Sequence, residues 1–262
     1  MGMQLMKTIT NSRRAMATAV GGVFLGALAC GQEAAAQPAP APSPLQASCP
    51  FDQPTLEYVI RRAAQEDSTG FDNDFWAVIV NVAGQVCAVA HSGPFRESQW
   101  LGSRQIAAAK AYTANAFSLN LPKGPLSTAQ LYGFAQPSPS GGNPLFGLEG
   151  GNVESSLVYA GDYATFGTPN DPLVTQRVGG TITFGGGLAL YQGNLKVGAI
   201  GVSGDTACAD HSVAWRARFI LGAEGPGTDK LPFVNNASPQ SGGHPRCPND
   251  AGTQGAIFPP NS

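Results

Sequence analysis

Residues 184–204 read FGGGLALYQGNLKVGAIGVSG, and this stretch decides the fold. Three glycines, Gly185, Gly186 and Gly187, lead into the short apolar run 188–192, which has the length of a strand. Gly193-Asn194 is a hairpin turn, since both residue types tolerate positive φ. Residues 195–202 run back as the partner strand, and the glycines within them mark places where something packs closely on the backbone. Upstream, residues 75–82 (FWAVIVNV), the turn 83–85 and residues 86–91 (VCAVAH) form a second hairpin, and 181–184 resumes regular extended structure.

Helices flank both hairpins. Leu56, Val59, Ile60, Ala63 and Ala64 make an apolar stripe through residues 54–67, with Pro54 in the first turn where its missing N–H costs nothing. Residues 99–118 form the longest helix, and its alanine-rich centre suits close packing on a sheet. A shorter helix is expected over 128–135 with Ser127 as N-cap, and a last one over 206–221, stopped by Gly222. The order helix, hairpin, helix, long loop, hairpin, helix predicts an α+β domain. It is an antiparallel sheet of about five strands with helices packed on it.

The ends read differently. Lys7, Arg13 and Arg14 precede an apolar run too short to span a bilayer, and Ala34-Ala35-Ala36 offers a signal-peptidase site. Residues 1–36 are therefore expected to be a signal peptide, with Ser12-Arg13-Arg14 leaving a twin-arginine route open. Cys30 after Ala27-Leu28-Ala29 is a poor lipoprotein pattern. The expected organisation continues with a Pro/Ala linker at 37–48, one domain at 49–222 carrying a loop insertion near 136–180, and a coil tail at 223–262. No other segment is apolar enough to span a membrane. A net charge of −2 with 12% charged residues provides no basic field for nucleic acid.

Cys49, Cys87, Cys208 and Cys247 remain after such a cleavage, and an even number in an exported chain favours two disulfides. Three pairings are possible; Cys208–Cys247 with Cys49–Cys87 is preferred, because little else would hold the tail at Cys247. The glycine- and proline-rich insertion has two readings, a functional loop or a surface that widens an oligomer contact.

Three blocks in register carry a family resemblance. Residues 109–117 (AKAYTANAF) are similar to the "KAYTAAAF" helix of the GlcG/HbpS-like heme-binding proteins, which include the C-terminal domain of PduO-type proteins. Residues 184–188 resemble their "FGGGLP" hairpin entry, with Ala189 where short members carry proline, and residues 197–204 match "VGAIGVSG". The hairpin at 75–91 takes the place of the family's "vvDaaGhlvaf". The resemblance implies heme as cofactor, a small-molecule partner, homo-oligomers, and a heme pocket near Lys110 and Thr113. These two lie one turn apart on the long helix, where Lys110 would pair with a propionate and Thr113 would face iron. Arg104 is a second candidate for an anion.

Heme also calls for an axial donor, and the chain has three histidines, His91, His211 and His244. A Cys208–Cys247 bridge would bring His211 and His244 together, as a metal pair or as heme ligands, with Asp205 or Asp210 as a further candidate. The bland reading keeps His211 as a helix-end hydrogen-bonding group and His244 as a solvated one. Gly185-Gly186-Gly187 lacks the Gly-Lys-Ser/Thr ending of a phosphate loop and precedes a strand. Ser203, Asp205 and His211 supply the residue types of a hydrolase triad, but Ser and Asp at a helix start are usually caps. The leading expectation is a periplasmic or secreted heme-binding carrier, buffer or redox-stress component. Its rivals are an enzyme or enzyme accessory using the same pocket on a small organic substrate, and a ligand-free structural oligomer.

Overall fold

The computed structural model describes residues 48–137, 143–231 and 243–249. The expected signal peptide and nearly all of the linker lie outside the described residues. The elements are α1 (Gln53–Gln65), β1 (Trp76–Asn81), β2 (Val86–His91), α2 (Leu101–Phe117), α3 (Tyr132–Ala135), α4 (Ser155–Val158), β3 (Gly187–Gln192), β4 (Leu195–Ser203) and α5 (Ala207–Ile220). The strands make one antiparallel sheet in the order β2-β1-β4-β3.

The sheet is covered on both faces, so its strands are buried along nearly their whole length. Alternation along β1 assigns the faces. Ala77 and Ile79 join Leu56 and Ile60 of α1 and Val213 and Ala217 of α5 in one core. Trp76, Val78 and Val80 join Ala107, Ala108, Ala111 and Ala114 of α2 in the other. The alanine-rich centre of α2 lies directly on the sheet: a Cβ on Gly201 would sit 2.0 Å from the carbonyl oxygen of Ala107. The closeness expected at the β4 glycines is this helix, together with the neighbouring strand. Gly198 faces the carbonyl oxygen of Val80, 2.0 Å from where its Cβ would be.

Two expected elements differ. Among the described residues the sheet has four strands, because residues 181–184 do not extend it. Gly179 and Gly180 take positive φ, and the backbone beyond them bonds elsewhere. Thr181 N–H donates to Gly151 O at 3.0 Å, and Ile182 N–H donates to the Thr113 hydroxyl at 3.0 Å. The helix expected over 128–135 is regular over Tyr132–Ala135 alone. Thr128 instead pairs with the start of β3, its N–H donating to Gly187 O at 3.1 Å. Ser127 still caps the turn, accepting Gln130 N–H at 3.3 Å.

The insertion folds back onto its own domain. Phe166, Leu173 and Val178 complete the α2-side core. A buried Arg104–Asp171 ion pair anchors this cover, and Arg104 also donates to Val158 O at 2.9 Å. Two disulfides, Cys49–Cys87 and Cys208–Cys247, join the preferred pairs. The second ties the segment 243–249 across the domain to α5.

Candidate functional site

The glycine loop Gly185-Gly186-Gly187 lies between α2, α5 and the segment 243–249. Its three successive N–H groups each donate to a side chain. Gly185 donates to His244 Nε2 at 2.9 Å, Gly186 to His211 Nδ1 at 3.3 Å, and Gly187 to Thr128 Oγ1 at 2.9 Å. Glycine is required here on space alone. A Cβ on Gly185 would meet the Ala207 carbonyl oxygen at 2.2 Å, and one on Gly186 would meet the Val202 carbonyl oxygen at 2.4 Å. The disulfide thus brings His211 and His244 to adjacent residues of one loop. His244 also lies against the ring of Tyr132, 5.2 Å between centroids.

Beneath the loop is a buried ion pair. Lys110 Nζ donates to Asp210 Oδ2 at 2.6 Å and to Val202 O at 3.2 Å, with the lysine 0% exposed. Asp210 Oδ1 accepts the N–H groups of Gly204 and Asp205, both at 2.9 Å. Burial pushes the Asp210 carboxyl up to about 6 against the opposing pull of Lys110, and burial lowers the Lys110 ammonium. The ring of Phe184 lies 5.3 Å from Nζ.

Lys110 and Thr113 do share a face of α2, turned toward residues 180–187. The Thr113 hydroxyl is fully engaged there: it donates to Ala109 O at 2.7 Å, lies 3.2 Å from Gly180 O, and accepts Ile182 N–H. Arg104 is placed elsewhere. Its guanidinium is buried against Asp171 and stacks 3.8 Å over the Phe166 ring, so its anion is a side chain of the insertion. His91 packs on Trp76, with Nδ1 2.9 Å from Gly93 O. Asp205 does not join His211. Its carboxylate accepts Phe71 N–H at 2.8 Å, while Thr206 caps α5. The triad residue types therefore serve turns and caps.

Both histidines beside the loop accept a backbone N–H, so both are neutral. With Nε2 accepting, His244 carries its proton on Nδ1, which donates to Pro245 O at 2.8 Å. Burial, with His244 and Arg218 nearby, holds His211 well below the usual imidazole range. Burial, with Lys110 nearby, takes His244 down to about 4. Neutral imidazole is the state that can donate a lone pair to a metal, but here those lone pairs are turned on Gly185 and Gly186. Among the described residues no group of three His, Cys, Asp or Glu is arranged to hold a metal ion.

These shifts fix a pH dependence. The unfolded chain binds a proton at each imidazole below about 6.5, whereas the folded chain refuses it at His244 until about 4. Both histidines therefore contribute stability that is complete above pH 6.5 and is lost as pH falls toward 4. Asp210, protonated in the folded chain from about 6, opposes this with one proton against two. The net expectation is falling stability from pH 6.5 to 4 in urea midpoints, with a shallower fall in His244→Gln.

The segment 243–249 is a strap joined to α5 by the second disulfide. Its contacts include the His244–Gly185 bond, the Tyr132 ring, and Asn249, which donates to Thr69 O at 3.1 Å and to Gly70 O. A hydrogen bond returns about 1 kcal/mol net, less than ordering one or two residues costs. A disulfide with a sequence separation of 39 contributes about 4 kcal/mol in the chain-entropy account.

The three charged partners Asp171, Asp229 and Asp67 were not among the residues singled out from sequence. Asp229 pairs with Arg218, buried, and Asp67 with Arg216. Each partner is far along the chain or in a coil, and no spacing signals it. Tyr132 was likewise missed, since it becomes relevant only where the strap lands.

A four-stranded antiparallel sheet between helices, with a glycine loop closing a buried Lys–Asp pair and two neutral imidazoles, defines a small α+β protein. The family model described as "Haem degrading protein HbpS-like" matches residues 58–218, more than half of the chain. The chain belongs to the HbpS-like family. Among solved structures, a PduOC–heme complex is similar at 24% identity, covering 66% of this chain and 94% of its own, with a TM-score of 0.42. Protein ORFY of Klebsiella pneumoniae, a DUF336 protein, is similar at 18% identity, covering 67% and 92%, with a TM-score of 0.40. No protein of curated function matches the chain.

Proposed function

We propose that the chain is an exported heme-binding protein whose ligand is held at the glycine loop. The observation that carries the reading is membership of the HbpS-like family across the whole sheet and both long helices. The donor set agrees with it. His211 and His244 are neutral imidazoles, Lys110 is a cation within reach of the loop, and a backbone without Cβ atoms accepts a flat ring closely. Two disulfides support an oxidising compartment.

The chemistry fits heme, but the closed space does not. Lys110 and Thr113 are 0% and 1% exposed, and a Cβ on Gly186 would come 2.9 Å from Lys110 Nζ. Nothing of heme's size enters between α2 and the loop in this arrangement. A heme at the loop would have to displace the contact between His244 and Tyr132 on its other side.

Absorbance titration of the purified chain with heme, run in oxidised and in dithiol-treated protein, tests the reading. Saturation near one equivalent with a shifted Soret band is expected in at least one of the two. Linear, unsaturable partitioning in both would overturn it and favour a small organic substrate on the same scaffold.

A further inference from the structure

We propose that His91 is an axial ligand for heme iron at a second site, apart from the glycine loop. The site rests on the reading of the chain as a heme binder and adds a donor that the loop lacks. His91 ends β2 and the glycine loop opens β3, the two outer strands of the sheet. At the loop, His244 and His211 turn their lone pairs on Gly185 and Gly186. His91 does not. Its Nδ1 lies 2.9 Å from Gly93 O, and a carbonyl oxygen only accepts, so Nδ1 carries the ring proton. The lone pair of the neutral ring then sits at Nε2, which has no hydrogen-bond partner among the described residues.

An imidazole pinned in this way is prepared for a metal. The bond from Nδ1 fixes the tautomer and raises the basicity of Nε2. The Trp76 ring, edge-on at 5.2 Å, sets the plane of the imidazole. Beside Nε2 the insertion carries Gly167, where a Cβ would come 3.3 Å from that nitrogen and 2.6 Å from Cδ2, so glycine keeps this edge of the ring clear. One imidazole does not hold a bare ion, and no group of three His, Cys, Asp or Glu stands among the described residues. Heme brings four nitrogens of its own, so a single protein donor fills an axial position by displacing the water bound there. Arg96 supplies the cation for a propionate. Its Nε donates to Phe166 O at 3.1 Å and its Nη2 to Ala164 O, while Nη1 has no partner among the described residues. Arg96 and His91 share a neighbour in Glu97. The Tyr163 hydroxyl, donating at 2.6 Å, holds that carboxyl below its usual range, and Arg96 and His91 act on it in the same direction.

Diethyl pyrocarbonate acylates an imidazole nitrogen whose lone pair is open, and peptide mapping of the adducts reads the site on the native chain. Without heme, His91 is expected to react at least about tenfold faster than His211 or His244, which are buried. Heme beyond the first equivalent, at about ten times the dissociation constant of this site, should slow His91 about tenfold. In absorbance titration, His91→Gly should lose the second phase, and free imidazole should restore its iron band without moving the urea midpoint. A merely structural role for His91 gives no such rescue. An unreactive His91 in the heme-free chain would overturn the site. So would a chain that saturates with heme while His91 reacts at its heme-free rate, and that result leaves heme at the glycine loop standing. Heme that never saturates rejects the heme reading itself, and this site with it.

Discussion

Asp210→Ala is expected to destabilise the chain by about 3–5 kcal/mol, the cost of leaving a buried charge without its partner. Lys110 has no exposure, and its Nζ also donates to the Val202 carbonyl. The same substitution orphans the N–H groups of Gly204 and Asp205 at the entry to α5. The double variant Lys110→Met/Asp210→Asn should recover more than half of the loss, since it removes the charge while an amide oxygen still accepts the two N–H groups. Urea denaturation of the three proteins measures this. The single variant should also regain stability as pH rises, because burial already lowers the Lys110 ammonium and the unpaired lysine sheds its proton in the folded state. A loss below about 1 kcal/mol would mean that the ion pair does not organise the floor of the site.

Asp171→Ala should cost a similar amount, about 3–5 kcal/mol, but with no relief at any accessible pH. Arginine does not deprotonate, so Arg104 stays charged at 1% exposure over the Phe166 ring. Asp171 does more than neutralise it. Its carboxylate accepts Gly167 N–H at 2.8 Å and Leu173 N–H at 2.9 Å, fixing the turn that carries Leu173 into the core. The loss should therefore be local before it is global. Limited proteolysis is expected to cut the variant within residues 143–180 under conditions that leave the parent chain intact. Equal protection of the two chains would show that the insertion is held by its apolar residues alone.

The sheet was legible because its signals are local. The turn at Gly193-Asn194, the alternation in 75–82 and the small residues of 99–118 each constrain neighbours in sequence, and each reappears as β3–β4, β1 and α2. Residues 181–184 do not extend the sheet, and their β-branched types say nothing about where the backbone bonds go. Gly179 and Gly180 turn that run toward Gly151 and Thr113 instead. The shared face of Lys110 and Thr113 follows from helical spacing, as does the meeting of His211 and His244 once the disulfide is granted. What spacing does not carry is pairing across the chain. Lys110 finds Asp210 100 residues away, and Arg104 finds Asp171 in a stretch that reads as coil. The contact of His244 with Gly185 and Tyr132 is equally hidden, since the segment that carries it has almost no apolar residues.

Hydrogen exchange of the purified chain, with and without one equivalent of heme, tests the central claim most directly. Heme held on the glycine loop should protect residues 184–187 and Tyr132. Protection confined to other parts of the surface, or none at all, would contradict a ligand site beneath the strap.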